Sequence, residues 1–409
     1  MYAHVFTTSL LFLALIVPEA SACRTGVRPN PATGKAIYFI TNDAVNAVVA
    51  LPIGADGLLS AAGTFTATGG AGANSIDGAT NQPAAPDALV SQSALTIAGS
   101  NLFAVNAGSN TVSMFAINPA DPTRLSMVGQ PVAVLGEFPN TVAASDKNRL
   151  VCVGSSGAKA GISCTSFSAR GMAAMDGLRV IDLQQTTPPV GPTNTVSQVF
   201  FSNDENTLFS TVKGDPAQNN TGFLASFQVQ AKANGLRFGA AAAAVSAQGT
   251  ASSPDGTAVL FGSSTIPGST DLFVTDASFG AAVLSVDLAT GAATVKGKTA
   301  LDGQKATCWA AVSLATNTAF VTDVGVNRVV EMSLADASVV ATVDLSANGD
   351  PGLIDLKVAG NFLYALSPGD GTTQPAVAVL DVISKQQVQH AELQALGVGK
   401  NAQGMAVLL

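Results

Sequence analysis

The 409-residue chain is 47% hydrophobic and only 11% charged, with 40 glycines and a formal net charge of −8. Its lysines and arginines form no cluster, which argues against a phosphate-tracking nucleic-acid surface and against docking on an anionic membrane. Many short apolar runs broken by Gly, Asn, Asp and Ser point to an all-β protein with a large core.

Residues 1–22 read as a secretory signal, with a short apolar run at Leu10–Val17 and the small-residue cleavage site Ala20-Ser21-Ala22. This predicts an exported protein, extracellular or cell-wall associated, whose single folded domain spans residues 23–409. The apolar run is too short to cross a bilayer, and no other segment approaches the roughly 20 apolar residues a spanning helix needs, so membrane insertion is not expected. The sequon Asn219-Asn220-Thr221 makes Asn219 a glycosylation candidate.

Seven apolar runs then follow in chain order, each ending near a polar turn residue: Tyr38–Asn42, Leu102–Asn106, Leu150–Gly154, Phe209–Lys213, Leu272–Asp276, Ala319–Asp323 and Leu363–Ser367. A second apolar run follows each turn, for example Asn46–Ile53, Thr111–Ile117, Ala281–Leu288, Arg328–Leu334 and Ala376–Val382, giving hairpins. A further strand precedes most hairpins, as at Ser93–Ala98, Thr141–Ala144, Val196–Phe201, Trp309–Leu314 and Ile354–Val358. A fourth, such as Ser338–Leu345, completes a four-stranded antiparallel unit. Such units repeated along a chain are propeller blades. The first hairpin lacks a preceding inner strand, and Gly404–Leu409 has the inner-strand pattern with no hairpin after it. We therefore expect a seven-bladed β-propeller closed by the C-terminal strand joining the N-terminal blade, leaving no open sheet edge.

Cys152 and Cys164 flank one hairpin turn at corresponding places, which predicts a disulfide between them; Cys23 and Cys308 remain as the other pair. With no CxxC motif and few histidines, neither a metal site nor a cofactor is expected.

In a propeller the turns inside the hairpins share a face with the crossovers between blades, and that face is the ordinary place for a ligand. The turns bring Asn42, Asn106, Lys213, Asp276 and Asp323 there. Crossovers bring Asp87, Glu137, Asn194, Gln198, Gln304, Lys305, Asp355, Asn401, Gln403 and the single tryptophan, Trp309. The expected ligand site is the ring of Asn42, Asn106, Lys213, Asp276, Asp323 and Trp309, a mixture suited to a small polar molecule. Lys213 and Lys305 are candidates to hold a carboxylate, and Glu137 to transfer a proton; Lys213 and Glu137 are thus the catalytic candidates.

The run Leu102–Ile117, LFAVNAGSNTVSMFAI, resembles the YVTN-type strand-turn-strand of lactonase-like propellers. Asn42-Asp43, Phe201–Glu205, Val212–Pro216, Val274–Ala277, Cys308-Trp309 and Thr322–Gly325 make the mature chain similar to secreted fungal 3-carboxymuconate cyclases. That resemblance implies cofactor-free addition of a carboxylate to an alkene, or opening of a lactone, on a small carboxylated metabolite. Intracellular lactonising relatives use His, Arg and Glu at the channel mouth, whereas His390 here falls in a late, outer strand. The other reading of the residues is a non-catalytic extracellular propeller that binds a ligand, glycan or cell-surface partner. A monomer is expected.

Overall fold

A computed structural model describes residues 1–2, 33–230 and 243–409. The chain divides into Met1–Asn30 and Pro31–Leu409, and the second unit carries the fold. The signal segment beyond Tyr2, its cleavage site and Cys23 lie outside the described residues.

Among the described residues, seven antiparallel sheets contain four or five strands each. Counting each as a blade, blade 1 is built from Gln403–Leu408, Ala36–Ile40, Ala47–Pro52 and Thr64–Ala67, from the channel outward. Blades 2 to 7 begin at the channel with Leu95–Ala98, Pro139–Ser145, Val196–Phe201, Leu260–Thr265, Thr307–Ser313 and Ile354–Ala359. These inner strands stand side by side in that order, and the last of them lies against Gln403–Leu408, so the ring closes. The closure is a β-ladder that pairs Ala36 with Leu408, Ile37 with Val407 and Tyr38 with Ala406. The fold is a β-propeller. Blade 5's inner strand, Leu260–Thr265, reads LFGSST; its small polar residues hide it from a search for apolar runs.

Why the second strands are apolar at both parities is visible in blade 1. Successive strand side chains point to opposite faces. Ile37 and Phe39 pack with Leu363, Ala365 and Val377 of blade 7. Tyr38 and Ile40 pack with Leu102 and Ala104 of blade 2. One strand thus feeds two blade interfaces, and each fully buried large side chain contributes about 1.5–3 kcal/mol. Outer strands alternate instead, as in Ala293–Ala300, because they have one dry face. Two tyrosines add matching ties between blades: Tyr38 Oη donates to the Pro122 carbonyl (2.7 Å) and Tyr364 Oη to that of Gly57 (2.8 Å).

At the channel entrance, the ladders of blades 1, 3, 4, 5, 6 and 7 carry register shifts where the inner strand begins. A bulge adds a residue and re-aims its side chain. Asn140, Ser197, Cys308 and Asp355 are skipped in this way, and all four are buried.

Cys152 and Cys164 are directly opposed in the blade 3 hairpin and joined by a disulfide. Cys308 is a buried free thiol. Asn219 is exposed, at the end of a short 3₁₀ turn, Pro216–Gln218.

Two outcomes follow from this architecture. Deleting Gly404–Leu409 strips blade 1 of its inner strand and exposes the edge of Ala36–Ile40, so the truncated protein should aggregate; a soluble monomer with unchanged melting temperature would refute closure. Replacing Cys152 and Cys164 together by Ala should lower unfolding free energy by about 3 kcal/mol, measured by denaturant titration beside the reduced wild type.

Candidate functional site

The turn residues on the crossover face are buried and engaged. Asp276 accepts from the backbone N–H groups of Ala258 (2.7 Å), Val259 (3.1 Å) and Ser278 (3.0 Å). Asp323 does the same for Lys305 (2.8 Å), Ala306 (3.2 Å) and Gly325 (2.9 Å). At equivalent places in blades 5 and 6, these carboxylates staple the incoming crossover to the end of the second strand. Asn106 accepts from Asn46 Nδ2 (3.0 Å) and donates to Ser113 Oγ (2.9 Å). Asn42, at φ 52°, holds Ala73 through both amide atoms. The chain passes Asn42 so closely that a Cβ on Gly72 would sit 2.2 Å from its carbonyl oxygen. Glu137 accepts from Thr187 Oγ1 (2.6 Å) on the blade 3 side.

The long connection from blade 1 to blade 2, residues 68–94, does more than cross between blades. Its middle forms a small sheet in which Ile76–Asp77 pairs with Gln82–Pro83 and, in parallel, with Val190–Gly191. Residues 85–93 then enter the ring as a strap. Gln92 grips the blade 6 inner strand through both amide atoms, donating to the Ala310 carbonyl and accepting from its N–H, each at 3.0 Å. Its own N–H donates to the Ser197 carbonyl of blade 4 (2.9 Å). Ser91 Oγ donates to the Asn140 carbonyl of blade 3 (2.6 Å), and the Ser93 N–H to Asp355 of blade 7 (3.1 Å). Trp309 Nε1 donates to the Ser91 carbonyl (3.1 Å), and the indole is fully buried, with its edge on Phe261. Gly262 has no side chain because a Cβ there would lie 2.1 Å from Gln92 Oε1. The centre of the ring is therefore occupied by chain rather than open.

Beside the strap lies a cavity of about 520 Å³, on the crossover face over blades 4 to 6. The strap side supplies Pro86, Asp87 and Val90; the blades supply Lys213, Val259, Phe261, Cys308 and Val324, and Lys305 stands exposed on its wall. Of the six ring residues expected from sequence, this cavity takes Lys213. The Lys213 ammonium donates to the Val90 carbonyl (2.6 Å) and sits 4.2 Å from the centre of the Phe261 ring. Burial pushes Asp87 up to about 7, against the pull of Lys213 and of the Ser91 and Val90 N–H groups. Burial pushes Lys213 down to about 8, against the attraction of Asp87. Desolvation, and then the charge of Asp87, raise the Cys308 thiol. Asp87 Oδ1 has no hydrogen-bond partner among the described residues, and Asp87 itself sits at φ 64°. A buried carboxylate left incomplete is costly unless something completes it.

Asp87 was legible as a crossover residue, but its meeting with Lys213 was not. Gln92, which sets the strap, carried no local signal; the one hint was the length of the 68–94 connection, since long connections within compact domains are commonly functional.

No protein-family model matches the chain, and no curated protein matches it. Solved structures do. The periplasmic gluconolactonase PpgL of Pseudomonas aeruginosa superposes with a TM-score of 0.60 at 15% identity, over 91% of this chain and 99% of that one. A functionally unknown protein from Desulfotomaculum acetoxidans gives 0.57 at 12% identity, over 91% and 99%. The likeness is one of fold, a β-propeller.

Gln92→Ala leaves the Ala310 N–H without its side-chain acceptor and the Ala310 carbonyl with the Ser264 hydroxyl alone. It should lower stability by on the order of 3 kcal/mol, read by denaturant unfolding. A change below a few tenths would show that the strap is not anchored there.

Proposed function

We propose that the protein is an exported, lactonase-like propeller that opens, or in reverse closes, the lactone ring of a small carboxylated molecule in the cavity beside the strap. The observation that carries this reading is the meeting of a buried carboxyl, Asp87, and a buried ammonium, Lys213, in one cavity, each shifted toward neutrality. Paired groups with such tuning suit proton transfer near neutral pH.

In the hydrolytic direction the Asp87 carboxylate takes a proton from water while the water oxygen bonds the lactone carbonyl carbon. The oxyanion that forms is stabilised by the Lys213 ammonium. The ring C–O bond then breaks, and the Asp87 carboxyl returns its proton to the departing ring oxygen. The product is a hydroxy acid, whose new carboxyl releases a proton to solvent. Water is the co-reactant. This assigns the proton transfer to Asp87 rather than to Glu137, whose carboxylate is engaged with Thr187 outside the cavity wall.

A second reading, binding without chemistry, is favoured by the engagement of Asn42, Asn106, Asp276 and Asp323 in structural hydrogen bonds. A panel of lactones and muconate-type dienoates decides between the two. Asp87→Asn and Lys213→Met should each lower kcat/KM on the order of 10²–10⁴-fold with the fold retained. For the wild type, the active form pairs ionised Asp87 with charged Lys213. Activity should therefore rise as pH climbs through about 7, and fall as it passes about 8. Saturable binding with no turnover anywhere in the panel would establish the second reading.

A further inference from the structure

We propose that the molecule this cavity takes has an apolar, hydroxyl-poor body and a single carboxylate, and is not a sugar lactone. The inference rests on the cavity being the ligand site, as argued above, and names the class of ligand.

The walls are the first reason. Pro86, Val90, Pro192, Val259, Phe261 and Val324 present carbon to the space. Apart from Asp87 Oδ1, the carboxylates that the sequence places on this face are already used. Both Asp276 oxygens accept backbone N–H groups, and the Ser278 hydroxyl donates back to Asp276 rather than into the cavity. Asp323 is likewise taken by the Lys305, Ala306 and Gly325 N–H groups. A sugar lactone brings a hydroxyl on nearly every carbon, and most of these would be stripped of water here without a partner. An alkyl or aromatic body loses nothing by the same transfer and gains from leaving water.

The cations are the second reason. Among the described residues, the lining holds two lysines and no arginine. Phosphate and paired carboxylates favour the bidentate guanidinium fork, whereas a lysine is a point charge suited to one anionic group. Lys213, at depth, already serves the Val90 carbonyl, the Phe261 face and Asp87. Lys305 is exposed. The ligand therefore lies with its reactive ring toward Asp87 and Lys213, its body against Phe261 and Val324, and its carboxylate at Lys305. A volume of about 520 Å³ fits one such molecule.

The test uses the mature full chain and measures binding by calorimetry alongside turnover. The probes are a γ-lactone carrying a pentyl chain and one carboxylate, its neutral methyl ester, glucono-δ-lactone and its 6-phosphate. The alkyl lactone carboxylate should bind at least about 10-fold more tightly than either sugar lactone. It should lose most of its advantage over the methyl ester in Lys305→Ala, with wild-type melting temperature retained. Tighter binding of a sugar lactone, or binding of none of the probes, overturns the inference. Turnover of a sugar lactone alone overturns it while leaving the lactonase reading intact. Tight binding of the alkyl lactone with no turnover upholds it while removing that reading.

Discussion

The ladder between Gln403–Leu408 and Ala36–Ile40 joins residues from opposite ends of the chain, and the rest of the molecule depends on it. A propeller has no core of its own beneath its blades; each blade's apolar faces are buried only by its neighbours. Tyr38 and Phe39 show this directly, since adjacent residues serve different interfaces. An open ring would leave one face of two blades wet and two sheet edges unpaired. Closure turns a linear stack of marginal sheets into a structure whose interfaces support one another.

Closure also creates a problem, because inner strands ringed around a channel leave space and unpaired polar groups at its entrance. The bulges at the start of the inner strands of blades 3, 4, 6 and 7 leave Asn140, Ser197, Cys308 and Asp355 buried off the ladder, and the strap meets several of them. Gln92, Ser91 and Ser93 satisfy groups on blades 3, 4, 6 and 7. Having been pinned for that reason, the strap sets Asp87 and Val90 against Lys213. The candidate site is thus assembled between a connection leaving blade 1 and the tops of blades 4 to 6. A substitution in the strap anchor and one in the cavity need not behave independently.

The hairpins, the inner strands other than Leu260–Thr265 and the closing terminal strand were legible because their signal is local: alternation, turn residues and length. The disulfide was legible because strand register alone places Cys152 opposite Cys164. Asp276 and Asp323 were legible as crossover-face residues, but not as staples, since a carboxylate's partners there are N–H groups from a crossover about eighteen residues upstream. Lys213 was recognisable as the lone cation among the turn positions. What lay over it was not.

The amino-acid pattern by itself therefore determined a ring of antiparallel blades, its closure and the face that the hairpin turns share with the crossovers, because these follow from periodicity and from the need to bury both faces of the inner strands. The tertiary structure alone decided that a strap crosses the ring at the channel entrance, that the ring of polar turn residues is turned to holding the backbone, and that Asp87 meets Lys213 in an apolar cavity. Those outcomes depend on which buried N–H and carbonyl groups find partners across the ring. That is a matter of distances between blades, and no local run of residues encodes it.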